Sequence, residues 1–414
     1  MRAPLEIGVP GWRRGFWCLM ATQFQNAFSD NALKNLVILL VMARPMSEDD
    51  RHGLVALVGA LFAAPFILFS MLGGWMADRF SKPSVMTGVK AAEVAIMLFA
   101  AAALWLRALP LELAAVFLMG THSAIFGPSK YGVLPELLPH DRLSWGNGIL
   151  ELLTFMGIIL GIVIGAVFAE HLAPQPGAAG LILAVLAVVG WAFSRGVPRL
   201  PAAAPDRRLS ANPVAEFARR LGSMRLDRDL WRANWGNAGF FFLAALVQAN
   251  VLIFARDVLR LGETDSGLLS AALALGIGIG SVTAGYASRG RIEYRLVPLG
   301  AVGLSLSSAP LGWPGVGVTG FACGLVALGF SAGLFIVPIA AVLQHRPAPE
   351  DKGAVQGAAN LLSFIGILAA SGVQWLAFRC GLDSGQVFWL CGVAALGIGA
   401  YSAVTRGRFI DAGT

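Results

Sequence analysis

The sequence predicts an all-α membrane protein of twelve transmembrane helices in two six-helix halves. Three observations predict it. First, 57% of the 414 residues are hydrophobic and only 13% are charged, and the mean hydropathy is +0.70, far from a soluble globular composition. Apolar runs of about 20 residues, enough to cross a bilayer, lie near 15–43, 53–76, 84–107, 110–138, 144–170, 177–196, 231–257, 264–288, 293–311, 314–343, 353–379 and 385–405. Second, basic residues alternate from loop to loop. One side holds Arg2, Arg13, Arg14, Arg79, Lys82, Arg142, Arg289, Arg291, Arg295, Arg346, Lys352, Arg406 and Arg408, with nine arginines from Arg195 to Arg232. The other side holds only Arg44, Arg51, Arg107, Arg256, Arg260 and Arg379. The positive-inside rule then predicts both termini in the cytoplasm. Third, the chain repeats itself. Gly148, Leu153, Phe155, Gly157 and Ile158 match Gly357, Leu362, Phe364, Gly366 and Ile367 at a constant offset of 209, and Pro128 has Pro338 as a near counterpart. The expected division is a bundle over 1–196, a linker over 197–230 and a second bundle over 231–414.

The first span carries Gln23, Asn26, Asp30, Asn31, Lys34 and Asn35. Gln23, Asn26, Asp30 and Lys34 share one stripe, because their spacings are 3 and 4. Lipid does not tolerate such a face, so the stripe must meet protein or a water-filled cavity. Asp30 lies about 14 residues into the span, roughly 21 Å deep at 1.5 Å per residue, near mid-membrane. Asp30 and Lys34 can neutralise each other as an i,i+4 pair, or can present an acid and a base to a charged ligand. The span is too long and too charged for a signal peptide, and lacks a small-x-small cleavage site.

The second span leads into GGWMADRFSKP (73–83). The third carries Lys90 and Glu93, three apart and able to pair. The fourth carries His122, a proton carrier or a satisfied core histidine, and Lys130, a ligand or a snorkelling base. The fifth presents Asn147, Glu151 and Thr154 on one face. After the apolar sixth span, the linker opens with Pro198, Pro201 and Pro205. Asn212 as N-cap and Pro213 as first-turn residue then begin an amphipathic helix. Val214, Phe217, Leu221 and Met224 share one face, and arginines occupy the others. It is read as lying on the inner leaflet against anionic head groups, or as a plain connector.

The second half is different. In the repeat, Glu151 maps onto Asn360 and Asn147 onto Gln356. The seventh span should mirror the first, yet 239–246 reads GFFFLAAL, with Gln248 and Asn250 the nearest polar groups. Spans ten to twelve have no mid-helix acid or base. A cavity between the halves would therefore be charged on one wall, and apolar on the other with Phe240 or Phe241. That suits an amphiphile, since each buried CH₂ contributes about 0.8 kcal/mol.

Other chemistries are excluded. Cys18, Cys323, Cys380 and Cys391 form no CxxC pair, so neither a disulfide framework nor a metal site is expected. The net charge of +7 belongs to loops of a membrane protein, not to a nucleic-acid surface. None of the five lysines follows a glycine, which removes a Walker A site. Gly329-Phe330-Ser331-Ala332-Gly333 has the spacing of a nucleophile elbow but lies in an apolar span, where it reads as helix packing. No enzyme activity and no cofactor are expected.

Six plus six spans with parallel repeats and a long central loop are the layout of the major facilitator superfamily. The 73–83 segment resembles its signature, with Gly74, Asp78, Arg79 and Lys82 in place and departures at Ser81 and Pro83. The resemblance implies gating roles for those four residues, as a latch between the halves. FQNAFSDNALKN (24–35), FGPSKYGVLPELL (126–138) and NGILELLTFMGIILG (147–161) resemble the bacterial lysophospholipid transporter family. That resemblance implies a flippase moving lysophospholipids, chiefly lysophosphatidylethanolamine, inward across the bacterial inner membrane. A separate acyltransferase is the implied partner, because no such domain follows Arg406, and the expected state is a monomer among membrane lipids. Asp30 or Glu151 would meet the ammonium, and Lys130 or Lys34 the phosphate. Asn31, Asn35 and Asn147 would complete the hydrogen bonds. The alternatives are a proton-coupled exporter of hydrophobic drugs or metabolites, and a non-transporting lipid sensor or acyltransferase scaffold.

Overall fold

The computed structural model describes residues 9–403. Arg2, Arg406, Arg408 and the end of the last expected span lie outside these residues. The described residues form thirteen α-helices and no strand. In the first half they are α1 (Trp12–Met42), α2 (Glu48–Arg79), α3 (Lys82–Trp105), α4 (Leu109–Leu137), α5 (Leu143–His171) and α6 (Pro176–Ser194). The linker helix is α7 (Pro213–Leu226). The second half holds α8 (Arg228–Asp257), α9 (Glu263–Ala287), α10 (Leu296–Leu311), α11 (Val318–His345), α12 (Lys352–Arg379) and α13 (Ser384–Ala403).

Ten of these helices are long and apolar enough to cross a membrane. The other two expected spans miss that standard for identifiable reasons. The polar stripe dilutes the hydropathy of α1, and α10 is a 16-residue apolar helix. The linker helix begins where its cap predicts, with Asn212 Oδ1 accepting from Ala215 N at 3.0 Å.

Between spans, apolar burial drives little association, because lipid is as apolar as leucine; close backbone approach replaces it. Gly157, Gly161 and Gly165 of α5 rest on the carbonyls of Phe24, Phe28 and Ala32 of α1. This ladder of three glycines, spaced four apart, seats the Ala27, Asn31 and Asn35 side of α1 on α5. In the second half, Gly329 and Gly333 of α11 meet the backbone of α9, whose Gly276 and Gly280 meet α11 in return. Ser331, between these glycines, faces Gly303 of α10 and donates to Ala327 O at 2.9 Å, so the GxSxG spacing is helix packing. In the first half α1 packs on α5 and α6, α3 on α4 and α6, and α2 on α4. In the second, α11 packs on α9 and α10, α13 on α10 and α8, and α12 on α8.

The halves meet along α2 with α12 and α5 with α9, at the end of the bundle that carries the linker. Asn147 and Gln344 exchange hydrogen bonds of 2.9 and 2.7 Å. Ser144 Oγ donates to Arg291 O at 2.8 Å. Contact rises as far as Asn360 donating to Ser70 at 2.8 Å and Phe66 stacked on Phe364 at 3.9 Å. Among the described residues, the hydrogen bonds and ring stacks that join the halves stop at that level, short of the far end. The linker end is closed.

Candidate functional site

Helix α1 is polar on two faces. On the first, Gln23 Nε2 donates to Thr154 of α5 at 2.9 Å. Asn26 Nδ2 donates to Asp30 Oδ2 at 3.1 Å and to Ser123 of α4 at 3.2 Å. Ser123 Oγ donates to the same Asp30 oxygen at 2.7 Å. Lys34 makes no direct ion pair with Asp30, although the two lie within electrostatic reach of each other. Its ammonium donates to Asn31 Oδ1 at 3.2 Å and sits 4.8 Å from the Phe62 ring centroid of α2. Asn31 donates to Ala27 O and Asn35 to Ile162 O of α5, both at 2.8 Å. Three buried acceptors on this stripe have no protein partner: Gln23 Oε1, Asn26 Oδ1 and Asp30 Oδ1.

The second face carries Gln25 and Ser29, which sequence reasoning missed. Gln25 Nε2 donates to Ser29 at 2.8 Å and to Glu93 of α3 at 2.9 Å. Its carbonyl oxygen accepts from Lys90, which also pairs with Glu93. His122 Nε2 lies 3.2 Å from Glu93, and its Nδ1 lies 3.5 Å from Ser123 Oγ. Lys90 and Glu93 are both fully buried. Such a pair persists only when its remaining hydrogen-bonding capacity is met; Gln25 bonds to both partners, and His122 lies beside Glu93. The signal in the sequence was the i,i+4 spacing of Gln25 and Ser29 beside a span with a buried Lys–Glu pair. A continuous polar chain thus runs from Asp30 through Ser123 and His122 to Glu93 and Lys90.

Lys130 and Glu151 are also buried and lie within electrostatic reach of each other; Asp30 acts on Lys130 as well. The Lys130 ammonium sits 4.4 Å from the Tyr131 ring centroid. Asp30, Lys130 and Glu151 therefore form one mixed-charge group shared by α1, α4 and α5.

Four residues expected at the site are used elsewhere. Asn147 ties the halves together through Gln344. His122 is held against Glu93. Phe240 is buried in the second-half core, edge-on to Phe241 at 5.2 Å. Gln248 is exposed and donates to Ser270 at 2.9 Å. These placements depend on helix rotation, which a run of three phenylalanines does not encode.

At the linker end, the Asp78 carboxylate accepts from the first backbone N–H groups of α12, Gly353 at 2.6 Å and Ala354 at 2.8 Å. A carboxylate is stabilised at a helix N-terminus. Gly74 allows the approach, because a Cβ there would collide with the Gly353 carbonyl. Arg207 from the linker pairs with Asp78 and Asp351 together. Arg79 and Trp75 donate to the Arg207 carbonyl at 2.6 and 3.1 Å. Arg79 therefore acts through the linker backbone and not directly on the other half. Lys82 pairs with Glu136 at 2.6 Å inside the first half.

Residues 19–371 match the family model described as Major Facilitator Superfamily. Solved structures of transporters share the fold. The human organic anion transporter MFSD10 aligns with a TM-score of 0.79 at 17% identity, over 94% of this chain and 99% of that one. The transporter FucP in the outward conformation aligns with a TM-score of 0.73 at 12% identity, over 95% and 99%. The class is thus a multi-pass membrane transporter, not an enzyme. The lysophospholipid transporter LplT of Enterobacter sp. (strain 638) is 30% identical over 92% of this chain and 93% of its own length. That of Salmonella enteritidis PT4 is 30% identical over 90% of each. The chain belongs to the lysophospholipid transporter family of the major facilitator superfamily.

Proposed function

We propose that this chain is a secondary transporter that flips lysophospholipids, chiefly lysophosphatidylethanolamine, inward across the bacterial cytoplasmic membrane by alternating access. The observation that carries the reading is the one-sided distribution of charge. Asp30, Lys130 and Glu151 are buried between α1, α4 and α5, whereas no Asp, Glu, Lys, Arg or His occurs more than five residues from an end of α8–α13. A single-tailed lipid has the same lopsided chemistry. The unpartnered acceptors of Gln23, Asn26 and Asp30 suit an ammonium donor, and Lys130 suits the phosphate. The acyl chain lies toward the apolar half.

The basic loops support a cytoplasmic linker end, and with that orientation the closed linker end is an outward-facing shape. Asp78, Gly74 and Arg79, with Lys82 bracing the loop, are the latch released when the carrier turns inward. Re-acylation by a separate acyltransferase on the inner side completes the path.

The test is reconstitution of the purified chain in liposomes with labelled lysophosphatidylethanolamine. Asp30→Asn and Lys130→Ala should each lower its translocation at least tenfold with folded protein retained. Translocation no faster than in empty liposomes, with a hydrophobic dye pumped under a proton gradient instead, would sink the proposal in favour of the exporter. Unchanged rates in both variants would remove the two residues from the head-group site.

A further inference from the structure

A pocket of about 530 Å³ lies between α2, the linker and α7, outside the central site. Its floor is the outward side of α2, with Leu68, Leu72 and Trp75. Leu68 is 56% exposed on a helix that crosses the membrane, so this floor faces lipid. Its rim holds Arg207, Arg208, Arg219 and Arg220 against a single acid, Glu216. Arg207 and Arg220 are committed to Asp78 and Asp351. Arg219 pairs with Glu216 but stays 65% exposed, and Arg208 is exposed with no ion pair among the described residues.

We propose that this pocket binds one anionic diacyl phospholipid from the leaflet at the linker end. Its phosphate lies against Arg208 and Arg219, and one acyl chain runs along Leu68 and Leu72. With Arg207 and Arg220 set against Asp78 and Asp351 and Arg219 against Glu216, Arg208 leaves the rim one net positive charge, which favours an anionic over a zwitterionic head. The apolar floor on a membrane-facing helix selects a lipid over a soluble anion. Basic side chains near the bilayer surface attract anionic lipids in this way.

The occupant would also act on the carrier's shape. The pocket walls come from α2, from the linker and from Ala354 at the start of α12, so they are assembled only while Asp78 holds the α12 N-terminus. A ligand shifts an equilibrium toward the state it binds better. The bound lipid therefore favours the closed linker end, whatever cargo the central site takes.

The experiment uses the purified full chain in detergent. It is titrated with phosphatidylglycerol or phosphatidylcholine, and retained lipids are counted by native mass spectrometry. The unaltered chain should retain one phosphatidylglycerol in preference to phosphatidylcholine. R208A/R219A should weaken that retention about thirtyfold, two surface arginines' worth of attraction, with unchanged retention of phosphatidylcholine. Leu72→Trp, which fills the slot and leaves every arginine in place, should weaken it as well. Phosphatidylglycerol should slow amide exchange at Gly353 and Ala354 severalfold. Equal retention of the two lipids, or equal phosphatidylglycerol retention by R208A/R219A with the fold intact, overturns the site. Displacement by glycerol phosphate as effective as by the lipid overturns the choice of a lipid. Unslowed exchange at Gly353 and Ala354 overturns the effect on shape.

Discussion

Glu93 holds together a buried charged network, and its neutralisation has a calculable cost. Glu93 and Lys90 are both 0% exposed. Glu93 accepts from Gln25 at 2.9 Å, faces His122 at 3.2 Å and pairs with Lys90. Glu93→Gln keeps the shape but removes the charge. Lys90 is then left as an uncompensated ammonium on the same α-helical turn. Breaking one side of a buried ion pair costs about 3–5 kcal/mol, a large part of a typical folding free energy of about 5–15 kcal/mol. Replacing both partners, as in Lys90→Met with Glu93→Gln, removes the stranded charge and should recover at least about 2 kcal/mol, since apolar replacements of buried pairs are often neutral. The assay is reversible unfolding in mixed detergent micelles, followed by loss of helical circular dichroism, for the two single variants and the double. A Glu93→Gln loss below about 1 kcal/mol, or strictly additive single and double effects, would refute the view that these side chains act as one unit.

Three further outcomes follow from the same contacts. Asp78→Asn removes charge from two hydrogen bonds to the α12 N-terminus and from the Arg207 pair; charge-assisted bonds contribute about 1.5–3 kcal/mol each. Amide exchange at Gly353 and Ala354 should therefore rise at least tenfold, and unchanged exchange would count against the latch. Gly161→Leu drives a side chain into the Phe28 carbonyl and should destabilise the first half by about 1–3 kcal/mol or more; a melting temperature equal to that of the unaltered chain would argue against the glycine ladder. Asp227 caps α8, accepting from Asp229 N at 3.0 Å and Leu230 N at 3.2 Å, and pairs with Arg346 at 2.6 Å. Burial pushes its carboxyl up, but Arg346 and the two amides together outweigh that and hold it below the usual carboxylate range. Its stabilisation is thus present above the ordinary aspartate range and is lost as pH falls through the lowered folded value. Asp227→Ala should cost about 0.5–2 kcal/mol near neutral pH, and the gap to the unaltered chain should close in strong acid; a gap constant with pH would exclude the charged cap.

Much of the site was legible because its signals are local. The spacing of Gln23, Asn26, Asp30 and Lys34 marks one face of a helix, and lipid forces that face inward. The resemblance of Gly74 and Asp78 to the superfamily signature implied a contact with the other half, and the structure supplies its receptor, the α12 N-terminus. Arg207 was not singled out, since one arginine among nine in a basic linker carries no distinguishing pattern. Gln25 was passed over because it points away from the counted stripe, toward a partner 68 residues distant. Asn147 shares a face with Glu151, yet a small difference in depth places it on Gln344 in the other half.

By itself, then, the sequence determined the membrane class, the spans, the repeat and the segregation of charge into the first half. Each depends on hydropathy or periodicity along a single helix, and the bilayer enforces those locally. Tertiary structure alone decided which polar groups satisfy one another: Asp30 with Ser123 instead of Lys34, Glu93 with Gln25 and His122, Phe240 in the core and Arg207 across the closed end. Such choices depend on the rotation and depth of neighbouring helices. In a membrane these are set by close contacts such as the glycines of α5 on the carbonyls of α1, and a one-dimensional pattern does not carry them.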